Sequence, residues 1–214
     1  MSYPDIQVVI MDYKHIPPIT REWLRQFDHV GYASEICDGG CGSQDFIVIK
    51  RNLVAQWFLE RTDREYLVMI DEDVRPDIDT YLMLDNKADI CSAHFFGKPG
   101  WLAHNHPGQV SMAACKISRS VFEKTDRPWF KILYNDYHTE VVKCECDWFA
   151  SQVRLAGFYP VKAGRVVHAV TVLAVPPDDD KRTFKFLFPD KHRRRLLERT
   201  KKETPPTPEG EGGE

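Results

Sequence analysis

Residues 67–74 read LVMIDEDV, an apolar run that ends abruptly in Asp71, Glu72 and Asp73. Such a run predicts a buried strand that delivers two aspartates, one residue apart, to the mouth of a sheet. Hard oxygen donors at that spacing suit Mg²⁺ or Mn²⁺, ions that keep several waters and share their coordination with substrate phosphates. The plainer reading is a pair of acids decorating a solvated turn, where Asp is common.

Other phosphate chemistries that begin with an apolar strand and an acidic pair are excluded by what is missing. A Walker B element needs a G-x-x-x-x-G-K-[ST] loop, and here the only Gly-Lys pair, Gly97-Lys98, runs into Pro99. A dinucleotide fingerprint fails because Gly40-Cys41-Gly42 is followed at the third position by Asp45. His104-x-His106 and Cys144-x-Cys146 have neither of the spacings of an ordinary zinc pair; Cys37 and Cys41 do, but no second pair matches them.

The elements that must position these residues alternate. Residues 6–11 predict a strand, 21–27 a helix, and 30–37 a second strand closed by DGGCGS at 38–43. Phe46, Ile49, Leu53, Val54, Trp57 and Phe58 recur at helical spacing after Ser43 as a cap and Asp45 in the first turn. The strand at 66–70, a helix at 78–84 and a strand at 88–95 complete a βαβαβαβ half, which implies a mainly parallel sheet with ligands outside the carboxyl ends of its strands. The second half is less regular: a strand near 110–117, a helix at 119–124, a helix near 145–156 stopped by Gly157, and an apolar run at 166–175.

Taken in order, Arg51-Asn52 in a helix ending FLERT, YLVMIDEDV with Pro76 beyond it, ADICSA, MAACKISRSVFEK, Trp129-Phe130, an acidic helix closing in AGF, and His168 resemble the GT-A nucleotide-sugar glycosyltransferases. The resemblance is to the small family-2-like enzymes of bacteriophages and bacteria, and it spans roughly residues 5–170. It implies an α/β, Rossmann-like GT-A domain over 1–176, beyond which charge and composition mark a basic C-terminal segment at 177–202 and an acidic tail at 203–214, rich in Pro and Gly and expected to be disordered. It further implies that Asp73 coordinates Mn²⁺ or Mg²⁺, that Asp71 binds the ion or the donor ribose, and that His168 is the remote ligand. Asp12 and Asp38, each following a strand, would hold the base and ribose of a nucleotide-sugar, a UDP-sugar first, and Arg51 would meet its diphosphate. An inverting transfer needs a carboxylate base, and the family's pair stands four and three residues before an aromatic. Counting back from Phe149 gives Glu145 and Cys146, so the register lacks its aspartate; Glu145, on the face of Phe149, is expected as base, with Asp147 the alternative. A plainer role for both acids is to complement the helix N-terminus. Trp101, His104, His106, Trp129, Tyr134 and Tyr137 fall in the irregular segments that would meet the acceptor.

Charge distribution suggests a partner. Residues 1–180 carry 19 Lys+Arg against 26 Asp+Glu, whereas residues 181–202 carry ten basic groups against Asp190 and Glu198, a net of +8. So dense a segment is a handle for polyanions or simply a solubilising helix. DNA with hydroxymethylated bases is one acceptor this favours; a protein, glycan or lipid-linked acceptor, with the segment on an anionic membrane, is the other. A metal-dependent nuclease and a DNA-binding module are the competing classes. With 43% hydrophobic residues, no apolar stretch of membrane-spanning length, no signal-peptide pattern and six scattered cysteines, the expected setting is the reducing cytoplasm.

Overall fold

The computed structural model describes residues 3–11, 16, 18–37, 46–96, 108–137 and 140–168, with the backbone alone described at 19, 46 and 168. These lie within one compact unit, Met1–Val170.

The apolar run at the start of the chain forms β1 (Ile6–Met11), all six residues buried. After α1 (Pro18–Leu24) the chain makes β2 (Val30–Tyr32), and the strand expected over 30–37 ends there, giving way to the short helix α2 (Ala33–Ile36). The reason lies in the register: Tyr32 pairs with Ile10, one residue short of the end of β1, so the parallel ladder runs out of partner. The long helix α3 (Phe46–Arg61) follows, then β3 (Tyr66–Asp71), the short strand β4 (Val74–Pro76), and a 3₁₀ turn (Ile78–Thr80) that runs into α4 (Tyr81–Asp85). Beyond these come β5 (Ile90–Phe96), β6 (Ala114–Ser118), α5 (Arg119–Lys124), the hairpin of β7 (Leu133–Tyr134) and β8 (Val141–Lys143), α6 (Glu145–Leu155) and β9 (Val161–His168).

Seven strands form one sheet in the order β2-β1-β3-β6-β5-β9-β4. β1 is parallel to β2 and β3, and β5 to β9, while β6 runs antiparallel to β3 and β5, and β4 antiparallel to β9. Five strands therefore point the same way, as the alternating pattern predicts, and β6 and β4 are reversed. One core cluster packs α3, α5 and α6 on the face carrying Val9, Leu67, Met69 and Cys115; the other packs α1 and α4 on the face carrying Val8, Val68, Ile70 and Cys91.

The sheet cannot be flat. Only Glu72 and Asp73 separate β3 from β4, a chain reach of about 11 Å, yet four strand spacings, about 19 Å when flat, lie between them in the sheet order. The sheet must curl so that its far edge returns to the carboxyl end of β3. β9 is shaped for this by a bulge opposite Ala93, where the register shifts and Gly164 takes φ +73°. The 3₁₀ turn packs into the space a side chain would need: Thr80 Oγ1 donates to the Arg165 carbonyl at 2.7 Å, and Arg165 bridges Asp77 and Asp79 at 2.8 and 3.3 Å. The strand expected at 166–175 thus begins earlier, its start concealed by Lys162 and Arg165; residues 169–175 lie outside the described residues.

Candidate functional site

Asp71 is the last residue of β3, beside Met11 of β1, and its amide donates to the Ala113 carbonyl at 3.0 Å. Strand alternation aims its side chain to the face of Leu67 and Met69, where α3 packs. There Arg51 Nη2 donates to Asp71 Oδ1 at 2.8 Å, and Nη1 donates to the Met112 carbonyl at 3.2 Å. The guanidinium side is sealed, with 2% of the Arg51 side chain exposed against 26% for Asp71. Arg51 is therefore neither a solvated helix residue nor open to a diphosphate in this arrangement; it fixes an aspartate whose other side reaches solvent. The hydrophobic spacing of α3 had placed Ile49 and Leu53 inward, but both are exposed, and the buried stripe runs through Arg51, Val54, Ala55 and Phe58.

Asp73 sits in the turn after β3, half-buried with Glu72. The next residue, Val74, pairs with His168, so the antiparallel β4–β9 register brings the backbone of His168 beside the acidic turn across nearly one hundred residues of chain. Carboxylate oxygens such as those of Asp71, 26% exposed, and Asp73 are donors of the kind that suits Mn²⁺ or Mg²⁺. Asp12 and Asp38 lie outside the described residues, as do Ser43, Asp45, Trp101, His104, His106 and the segments at 177–202 and 203–214.

The second acidic group is held by the neighbour of Arg51. Asn52 clamps Phe130 from both sides of its peptide, donating to its carbonyl at 2.8 Å and accepting from its amide at 3.2 Å. Phe130 stacks on Phe149 with ring centroids 4.9 Å apart, and Phe149 anchors α6 in the core. The Arg-Asn pair of α3 thus ties the end of β3 with one side chain and the seat of α6 with the other. Trp129, expected to meet an acceptor, is buried here and donates to the Phe122 and Thr125 carbonyls; a packed indole offers no stacking face, while Tyr134 and Tyr137 remain exposed.

At the N-terminus of α6, Cys144 caps the helix with sulfur, its Sγ accepting from the Asp147 amide at 3.4 Å. Glu145 and Asp147 share the first turn, each half-buried, where the helix dipole favours negative charge. Cys144 Sγ donates to Asp147 Oδ2 at 3.5 Å, and Cys146 Sγ to Glu145 Oε1 at 3.7 Å. A hydrogen bond with Cys144, then burial, push the Cys146 thiol well above its ordinary value, and the Arg51 guanidinium opposes this. Lys162 reaches the same region from β9; burial lowers its ammonium to about 8 against the upward pull of Cys115, Cys146 and Cys91. Neither the sulfur cap nor Lys162 carried a signal in the sequence, since a lone Cys before an acidic turn and a Lys in a strand are both ordinary.

The curled, seven-stranded sheet with helices on both faces is a GT-A-like α/β architecture. No family model matches the chain, and no curated protein matches it in sequence. Among solved structures, A197 from STIV matches with a TM-score of 0.50 and 15% identity, over 75% of this chain and 82% of that one. A glycosyltransferase involved in glycosylation of the major capsid of PBCV-1 matches with a TM-score of 0.35 and 12% identity over 59% and 69% of the two chains. A mutant Drosophila beta-1,4-galactosyltransferase 7 in complex with manganese, UDP-Gal and xylobiose matches with a TM-score of 0.43 and 14% identity over 89% and 79%. The likeness is one of fold, and it rests on the first of the three.

Proposed function

We propose that this protein is a metal-dependent glycosyltransferase that moves a sugar from a nucleotide-sugar, a UDP-sugar first among candidates, to an acceptor hydroxyl with inversion. The observation that supports this most is the Asp71–Asp73 pair at the carboxyl end of β3, with His168 paired to the residue that follows it. Asp71, Asp73 and His168 would hold Mn²⁺ or Mg²⁺. When bound, that ion supplies Lewis-acid neutralisation of the diphosphate leaving group. Arg51 holds the Asp71 carboxylate in place through the 2.8 Å ion pair. Glu145, or Asp147 two residues further on, takes the proton of the acceptor hydroxyl. Asp12, the residue after β1, and Asp38, just beyond α2, are proposed to hold the nucleoside.

The acceptor proposed first is DNA bearing hydroxymethylated bases, on the strength of the net +8 carried by residues 181–202. The test is nucleotide release from a panel of sugar donors with Mn²⁺ and with chelator, using modified DNA and oligosaccharides as acceptors. Metal-dependent release from one donor, lost in Asp73→Ala, is the expected outcome. Release of mononucleotides from DNA without any donor would instead mark the protein as a nuclease.

A further inference from the structure

The turn that opens α6 gathers more donors than a catalytic base requires. One ligand atom from each of Cys144, Glu145 and Cys146 lies within 4.8 Å of the others, and Asp147 Oδ2 is 3.5 Å from Cys144 Sγ. Around a tetrahedral zinc ion with Zn–S of about 2.3 Å and Zn–O of about 2.0 Å, neighbouring ligands stand roughly 3.3–3.8 Å apart. The Cys146 Sγ to Glu145 Oε1 separation of 3.7 Å and the Cys144 Sγ to Asp147 Oδ2 separation of 3.5 Å already fall in that range. C-x-C is too short for the usual zinc loop, but here the helix start folds the two thiols onto one side of the turn.

A second observation points the same way. Among the described residues Lys162 Nζ is buried with no hydrogen-bond partner, and its electrostatic neighbours are Cys115 first, then Cys146 and Cys91. Two thiolates and a carboxylate around a divalent ion leave one negative charge, and Asp147 as a fourth donor would make it two. The ammonium of Lys162 and the N-terminus of α6, eleven residues long, are placed to balance it.

We infer that Cys144, Glu145 and Cys146 form a binding site for a thiophilic divalent ion of the Zn²⁺ class, separate from Asp71 and Asp73. Binding replaces the two thiol protons with bonds to the ion and releases them to solvent, with no change of oxidation state. Asp147 stands as the fourth donor. Because Glu145 is the base named in the proposed function, zinc bound here would also withdraw that carboxylate from transfer; the site itself does not depend on that reading.

The test uses the full, reduced chain and Cd²⁺ as probe, whose bonds to thiolate give a charge-transfer absorption in the ultraviolet, with Zn²⁺ competing it away. One equivalent is expected to bind with release of two protons, with affinity at least about 100-fold weaker in Cys144→Ser and Cys146→Ser and unchanged in Cys37→Ser. Mass-spectrometric mapping of alkylation on the unmutated chain makes the result independent of variant folding: Zn²⁺ is expected to shield Cys144 and Cys146 and leave Cys37 reactive. Absence of thiolate absorption in the unmutated chain, equal absorption in the Cys144 and Cys146 variants, or shielding that does not favour these two cysteines would overturn the site. None of these readouts needs a sugar donor, so failure here leaves the transferase proposal standing, and the reverse holds too.

Discussion

Arg51 of α3 and Asp71 of β3 form an ion pair of 2.8 Å in which the cation is sealed in the core and the anion looks outward. Twenty residues of chain separate them, and the pair fastens the end of β3 to α3, the longest helix among the described residues. Removing the carboxylate takes from a buried guanidinium its 2.8 Å ion-pair contact. Asp71→Ala is therefore expected to cost about 2–3 kcal/mol, below the usual range for a fully buried pair because Asp71 is partly exposed. Arg51→Lys should not substitute, since an ammonium cannot reproduce the fork that reaches both Asp71 and the Met112 carbonyl. Urea unfolding of both variants checks this; a wild-type midpoint in Asp71→Ala would remove the pair from the account.

The curl of the sheet depends on Gly164. A Cβ there would meet the Asp79 carbonyl oxygen at 2.3 Å, and its φ of +73° is one that side chains rarely adopt. Gly164→Ala is expected to cost on the order of 3 kcal/mol and to loosen the β4–β9 edge that carries His168. Hydrogen exchange resolves the two effects: amides of 74–75 and 166–168 should lose protection first. Uniform protection in the variant would mean the bulge does not shape that edge.

Lys162 gives the fold a signature in alkaline solution. Its amine is lowered to about 8 by burial, against 10.5 in an unfolded chain. Below pH 8 folded and unfolded states both carry the proton, and the burial penalty is fully present. Between pH 8 and 10.5 the unfolded chain binds more protons than the folded one, so the contribution of this residue to stability rises with pH. Lys162→Met should accordingly raise stability at pH 7 by on the order of 1–3 kcal/mol, with the advantage shrinking towards pH 10. Thermal melts of both proteins across that range measure it, and an advantage that does not shrink would contradict the burial argument.

Glu145 and Asp147 can be separated kinetically. If Glu145 takes the acceptor proton, Glu145→Gln lowers kcat by roughly 10²–10⁴ with donor affinity unchanged, while Asp147→Asn changes kcat less than about tenfold. The opposite ordering moves the base to Asp147. Full activity in both variants would remove α6 from the chemistry.

Much of this was legible in the sequence because it rests on local pattern. The apolar runs that became β1, β3 and β5 have no competing structure, and Gly157, with φ +87°, stops α6 where its position suggested, its amide donating to the Arg154 carbonyl and that of Phe158 to the Val153 carbonyl. The acidic turn after β3 could be placed for the same reason. What escaped is what only tertiary structure decides. Arg51 lies on the buried stripe of α3 because Asp71 awaits it there, and a helical wheel counts it as surface. β4 is three residues long and exists through pairing with β9, ninety residues onward. The β7–β8 hairpin is equally short, and its strands present Tyr134, Val141 and Val142 to solvent, so no alternation marks it.

The central claim, that the acidic turn binds a nucleotide-sugar through a divalent ion, is tested most directly by thermal stabilisation. The unmutated chain and Asp73→Ala would each be melted with UDP-, GDP-, CMP- and dTDP-sugars, with and without Mn²⁺. A ligand held at about 100 times its Kd stabilises the native state by about 2.7 kcal/mol, a shift of several degrees. The account predicts such a shift for one nucleotide, only with Mn²⁺ present, and none in Asp73→Ala. An equal shift without the ion, or one that survives in Asp73→Ala, would contradict it.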